Sequence, residues 1–287
     1  MSTVASVVGI IGLGIMGGAI ARNLAKAGHA VIGYDVDASR AGALGVRPEA
    51  SVAALAAEAK IILLCLPDVA ALEHTVTALT ASGAIIAELS TLPLDAKTAA
   101  HDRLAAKGIT LLDCPLSGTG AQAVTGDLSV FASGDEAAWK TCASLFKDFS
   151  RTAHYLGAFG NGTKMKFVAN LLVAIHNVAA AEAVLLGLKA GLDPASLVAV
   201  AGSGAGASRM LEMRGPMMVK DQFTPATMKL DVWRKDMTLI ADFAARLGVQ
   251  TPVFDATAPL YEKAIGLGMG ESDTAAVFNV LKRLARD

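Results

Sequence analysis

Val7-Val8-Gly9-Ile10-Ile11-Gly12-Leu13-Gly14-Ile15-Met16-Gly17 runs a short apolar segment into glycines spaced G-x-G-x-x-G and then into a helical pattern. A β-branched run, a tight turn and a helix start, in that order, open a βαβ unit. Gly12 permits the turn, Gly14 lets the backbone approach a pyrophosphate, and Gly17 lets the helix pack on the strand. The amides of Leu13, Ile15 and Met16 then face the phosphates from a helix N-terminus. A glycine motif alone fits any tight strand-to-helix turn. The next strand adds to it: Gly33-Tyr34-Asp35 ends in an acid 18 residues beyond Gly17. A carboxylate there accepts from the adenosine ribose hydroxyls. Its charge repels a 2′-phosphate, which favours NAD over NADP, while Arg40 lies near enough in sequence to weaken that preference.

Outward from this motif, apolar strands alternate with helical patterns. Val7–Ile11, Ala30–Tyr34, Lys60–Cys65, Ala84–Leu89 and Ile109–Asp113 read as strands. Helices are expected over Met16–Ala27, Val52–Glu58, Val69–Leu79 and Leu94–Lys107. That alternation predicts an α/β fold, a Rossmann doubly wound parallel sheet covered on both faces. Strands at Leu128–Ala132 and Thr152–Tyr155 flank a helix at Glu136–Phe149. After Gly162 strand patterns stop, and helices follow at Thr163–Ala190, Pro194–Ala201, Ala226–Leu247, Pro252–Ile265 and Thr274–Ala285. Residues 1–162 are therefore expected to form the dinucleotide domain. Residues 163–287 are expected to form an all-α substrate and oligomerisation domain, joined by a long interdomain helix with the active site in the cleft.

A length of 287 residues suits two domains, and 53% hydrophobic against 18% charged residues allows a large interior. The formal charge of −1 gives no electrostatic reason for a nucleic-acid or anionic-membrane partner. Met1–Ala21 is apolar but lacks the basic start of a signal peptide. Phe167–Leu188 is long enough to span a bilayer, yet Asn170, His176, Asn177 and Glu182 interrupt it, as in a buried helix. Cys65, Cys114 and Cys142 lack metal-ligand spacing and cannot all pair, which points to a reducing, cytoplasmic setting.

Residues after the later strands should line the crevice of such a sheet: Leu66-Pro67-Asp68, and Ser90-Thr91. Thr91 either offers its hydroxyl to a nicotinamide carboxamide or caps the helix behind Pro93, or does both. On the long helix, Lys166 and Asn170 are four residues apart and share a face, so an amine and a carboxamide point together out of an apolar segment. Such a pair costs free energy unless it is hydrogen-bonded or used. Lys164, six positions from Asn170, falls on another face and reads as a solvated lysine.

Four ordered motifs resemble the β-hydroxyacid dehydrogenases, the family of 3-hydroxyisobutyrate dehydrogenase and tartronate semialdehyde reductase. They are the glycine turn; Asp113-Cys114-Pro115-Leu116-Ser117-Gly118-Thr119 with Ala123 and Gly126; Gly160-Asn161-Gly162 with Lys166 and Asn170; and Lys235-Asp236 before an apolar helix. The resemblance covers essentially the whole chain. It implies Lys166 as the catalytic lysine and Asn170 as an active-site asparagine that helps hold substrate. It implies a carboxylate-binding loop at Ser117, Gly118 and Thr119, and cofactor contacts at Leu66, Pro67, Thr91 and Lys235. The chain departs from the family pattern at Thr119, where a second glycine is usual, and at Ala169, where a second asparagine is frequent.

The chemistry fits these residue types. Alcohol oxidation with NAD removes a hydride from carbon and a proton from oxygen, so a base must stand beside the hydroxyl. A carboxylate anchor is needed because displacement on the order of 1 Å slows such a transfer. Lysine is a weak base at a pKa of about 10.4, but burial and neighbouring positive charge favour its neutral amine. The expected activity is reversible oxidation of a small β-hydroxy acid to its semialdehyde or keto acid by a homodimer or homotetramer. The rival readings are an imine reductase on the same scaffold and a non-catalytic dinucleotide-binding regulator. Arg209 and Arg214 would bind a second polar end of the substrate or form an interdomain salt bridge. Met210, Met213, Met217 and Met218 read as packing, and the five histidines are scattered without metal spacing.

Overall fold

The computed structural model describes residues 7–80 and 82–285. The first six residues of the apolar Met1–Ala21 stretch and the last two of the expected helical domain lie outside the described residues. Two compact units are present, the first ending at Lys166 and the second beginning at Phe167.

The first unit begins β1 (Val7–Ile11), α1 (Ile15–Lys26), β2 (Ala30–Tyr34), α2 (Ser39–Leu44), β3 (Arg47–Pro48), α3 (Val52–Glu58), β4 (Ile61–Leu64) and α4 (Val69–Ala78). It continues with β5 (Ile85–Glu88), α5 (Leu94–Ala105), β6 (Thr110–Asp113), β7 (Leu116–Ser117), α6 (Gly120–Thr125), β8 (Ser129–Ala132), α7 (Glu136–Lys147) and β9 (Thr152–Tyr155). Six strands form one sheet in the order β3-β2-β1-β4-β5-β6, and every pair is parallel. The strands are apolar on both faces because helices cover both, with Ile10, Ile62, Leu63, Ile86 and Leu112 buried. The order reverses between β1 and β4, and in such sheets the crevice at the carboxyl ends of these strands is where ligands bind.

Strands β8 and β9, expected from the alternation, do not extend this sheet. With β7 they make a second sheet of three, β7 antiparallel and β9 parallel to β8. A bridge between Asp113 and Ser133 ties the end of β6 to the end of β8. Helices α2 and α6 and strands β3 and β7 were not expected; they are six, six, two and two residues long. A periodic pattern needs more residues than that to declare itself.

Helix α8 (Asn161–Lys189) leads into the second unit, followed by α9 (Pro194–Gly202), α10 (Arg209–Lys220), α11 (Leu230–Arg246) and α12 (Pro252–Ala264). A π-turn at Ile265–Met269 and a 3-10 turn at Thr274–Ala276 precede α13 (Val277–Leu284). The helix expected from Ala226 starts only at Leu230. Asp273 Oδ2 instead accepts from the Thr227 amide at 2.8 Å, the Thr227 hydroxyl at 2.6 Å and the Met228 amide at 3.1 Å. Helix α10 was not expected, and Gly215 and Pro216 inside it explain why. Within the apolar α8, Asn177 is fully buried and donates to the Tyr261 hydroxyl and the Thr274 carbonyl. Both amide hydrogens of Asn177 are thus used in the middle of this apolar helix, while its Oδ1 is buried without a partner among the described residues. Met210 and Met218 pack as expected, both buried.

Candidate active site

The turn between β1 and α1 is built as the glycine spacing requires. Gly12 has φ +91°, and a Cβ there would run into the Cys65 carbonyl oxygen. A Cβ on Gly17 would enter the Gly12 carbonyl oxygen, so the helix could not lie so close to the turn. Gly14 differs. Its Cβ position meets nothing nearer than the Arg40 guanidinium at 3.7 Å, so the protein itself leaves that space open. Helix α1 has no side-chain cap and no acid in its first turn. In contrast, α3, α4, α6, α7, α9 and α10 each carry a side-chain cap. First-turn amides beside an open glycine fit a pyrophosphate. Leu13 is buried, Met16 half-buried and Ile15 exposed at the helix start.

Asp35 is fixed in this turn. Its Oδ2 accepts from the Leu13 amide at 2.6 Å and from Arg40 Nη1 at 3.3 Å, and its Oδ1 accepts from the Asp37 amide at 2.9 Å. A carboxylate has about four acceptor positions, which leaves room for a ribose hydroxyl. Arg40 also meets Asp37 at 3.3 Å, so two acids hold the guanidinium. The Ser39 hydroxyl and amide keep the Asp37 carboxyl below its usual value.

The loops after β4 and β5 are pinned to each other. Ser90 Oγ accepts from the Leu66 amide at 2.7 Å, and the Ser90 amide donates to Glu88 Oε1 at 2.9 Å. Leu66 is buried, Pro67 exposed and Thr91 half-buried. The cap of α5 is Pro93, with no side-chain cap bond. After β6, Ser117 lies on β7 and Gly118 has φ +138°. Thr119 caps α6 in a reciprocal pair: its hydroxyl accepts from the Gln122 amide, and its own amide donates to Gln122 Oε1 at 3.0 Å. The departure from glycine at this position therefore serves the helix start, and its hydroxyl is turned toward Gln122.

On α8, Lys166 is 7% exposed and Asn170 4% exposed. Asn170 Nδ2 donates to Asp236 Oδ2 at 3.0 Å, and Asp236 is buried on α11 beside the exposed Lys235. In the sequence Asp236 stands out only as the neighbour of Lys235. Its bond to Asn170 spans 66 residues and has no local signal. Lys164 is exposed and donates to Asn161 Oδ1 at 3.1 Å. The two arginines are elsewhere engaged: Arg209 pairs with Glu212 on one exposed helix face, and the buried Arg214 pairs with Asp273 at 3.2 Å inside the second unit. Arg214 is thus paired within its own unit.

Two family models match the chain. Residues 7–157 match the NAD binding domain of 6-phosphogluconate dehydrogenase, and residues 160–281 match the NAD-binding segment of NADP-dependent 3-hydroxyisobutyrate dehydrogenase. L-threonate dehydrogenase of Cupriavidus necator is 31% identical over 95% of this chain and 95% of that protein. The 2-hydroxy-3-oxopropionate reductase of Escherichia coli is 30% identical over 96% of this chain and 97% of its own. Among solved structures, 3-hydroxyisobutyrate dehydrogenase of Mycobacterium tuberculosis with L-serine superposes with a TM-score of 0.87. It is 26% identical, over 97% of this chain and 99% of that one.

Proposed function

The chain belongs to the β-hydroxyacid dehydrogenase family of NAD(P)-dependent oxidoreductases, and from that premise we propose that Lys166 is the acid–base group for reversible oxidation of a small β-hydroxy acid. The observation that carries this reading is the placing of one amine. Lys166 is nearly buried one helical turn before Asn170, on the helix that follows the dinucleotide sheet.

In oxidation the substrate C–H bond breaks with its electron pair, and the hydroxyl proton passes to the neutral Lys166 amine as the carbonyl forms. A bound NAD supplies the hydride acceptor. In reduction the Lys166 ammonium returns the proton to the nascent alkoxide. Ser117 and the Gly118 amide hold the substrate carboxylate without introducing a competing base. Asn170 gives one amide hydrogen to Asp236, so its second hydrogen and its oxygen are the groups that meet the substrate. Leu66, Pro67 and Thr91 would serve the nicotinamide end of the dinucleotide, Gly12 to Gly17 with Asp35 would hold the rest, and Lys235 is a cofactor contact by its family motif alone. With Asp35 and Asp37 both holding Arg40, NAD is preferred to NADP.

Residues 1–162 serve the cofactor, and residues 163–287 serve substrate and subunit contacts. Leu186, Val200 and Val253 are exposed apolar side chains of the second unit, which supports a homodimer or homotetramer. Three free cysteines support a cytoplasmic setting. The substrate class is tested with L-threonate, 3-hydroxyisobutyrate, L-serine and glycerate, each with NAD and NADP, by following reduced nicotinamide. At least one acid should be turned over, faster with NAD. Turnover of a cyclic imine with none of the acids would overturn the reading.

A further inference from the structure

Glu88 and Asp113 end the neighbouring parallel strands β5 and β6 and stand opposite each other in register. Both are fully buried, and so is Lys97 of α5. Lys97 Nζ lies 2.5 Å from Glu88 Oε2 and 2.8 Å from Asp113 Oδ1. Two carboxylates side by side without water repel strongly, and one cation between them is what lets both stay ionised. Burial pulls the Lys97 ammonium toward deprotonation, but Asp113 and Glu88 outweigh it and hold the pKa above its ordinary value. Buried ion clusters add little stability over apolar packing of the same volume. Their common use is to fix one arrangement among several, so what this one holds is informative.

Each carboxylate holds a different part of the candidate site. Glu88 accepts from the Ser90 amide, and Ser90 in turn fixes the Leu66 amide. Asp113 grips the start of α8: its Oδ2 accepts from the Thr163 amide and its Oδ1 from the Thr163 hydroxyl, both at 2.7 Å. Ser133 Oγ accepts from the Gly162 amide at 2.9 Å. A Cβ on Gly162 would collide with the Phe131 and Asp113 carbonyl oxygens, so the first turn of α8 sits directly on the ends of β6 and β8. Lys166 is the next turn of that helix.

We infer that Lys97 is a positioning residue: by joining Glu88 to Asp113 it sets the first turn of α8, and hence Lys166, in fixed register with the cofactor loops at Leu66 and Ser90. This rests on the role proposed for Lys166. Lys97 is fully buried against two carboxylates, and it acts through Asp113 and Thr163 on one side and through Glu88 and Ser90 on the other.

The test uses the full chain as Lys97→Met, Thr163→Val and Thr163→Ser. Thr163→Val removes one hydroxyl bond to Asp113 and leaves the ion cluster whole, so it reports even if Lys97→Met fails to fold. Two readouts are taken: amide hydrogen-exchange protection of residues 162–166 in the protein without cofactor, and turnover of L-threonate with NAD at saturation. Thr163→Val should lower that protection and reduce kcat by about tenfold, the loss of one hydrogen bond to a charged group. The Kd for NAD should stay within about twofold, and Thr163→Ser should restore protection and kcat together. Lys97→Met, where folded, should lower protection and kcat at least as far. Unchanged protection in Thr163→Val or in a folded Lys97→Met, or lost protection with kcat intact, would overturn the inference. If the wild type turns over no hydroxy acid, the proposed function fails, and protection alone then decides whether the cluster holds the helix start.

Discussion

Asp35 carries more at the residue scale than its place at a strand end suggests. It accepts from Leu13 inside the glycine turn and also holds Arg40, so one carboxylate both shapes the turn and fixes a guanidinium beside it. Asp35→Asn removes the charge and loosens Arg40. The NAD:NADP ratio of kcat/KM should fall on the order of tenfold, as expected for losing one like-charge repulsion near the surface. Steady-state rates with both cofactors check this, and an unchanged ratio would assign the preference elsewhere. Gly12, Gly17 and Asp35 were legible because their demands are local: a positive φ, a close helix and an acid at a strand end. Lys97 was not, since it looks like any lysine on a helix. Its partner Asp113 is 16 residues away, and Asp113 reaches Thr163 across another 50.

Elements show the same division. Five of the six parallel strands and the long α8 follow from apolar runs and periodicity, and their expected bounds differ from the structure by a residue or two, whereas the two-residue β3 left no such trace. The late start of α11 and the unexpected α10 do not follow: Gly215 and Pro216 hide α10, and a distant acid, Asp273, sets where α11 begins. It pairs with Arg214 of α10 and holds Thr227 and Met228 ahead of α11. Burial raises the Asp273 pKa, but Arg214, the Thr227 hydroxyl and the backbone amides together carry it below its ordinary 3.8. The unfolded chain then takes up a proton at a higher pH than the folded one. The stability from Asp273 is complete above about pH 4 and drains away as pH falls through the folded value. Asp273→Asn should cost about 3 kcal/mol at neutral pH and flatten the acid limb of a Tm-against-pH curve. A parallel downward shift, with the acid limb unaltered, would show that Asp273 matters by shape and not by charge.

For the molecule as a whole, fold class and family were readable because four motifs occur in order along essentially the full chain. Two family models spanning residues 7–157 and 160–281 agree with that order. The role of each side chain is a finer matter, and the account turns on one of them. Lys166→Ala, compared with wild type for L-threonate oxidation and for NAD binding by titration of protein fluorescence, addresses it directly. If Lys166 carries the proton, kcat falls by a factor of about 10² or more while the Kd for NAD stays within about twofold. Turnover near the wild-type rate with NAD still bound would contradict it.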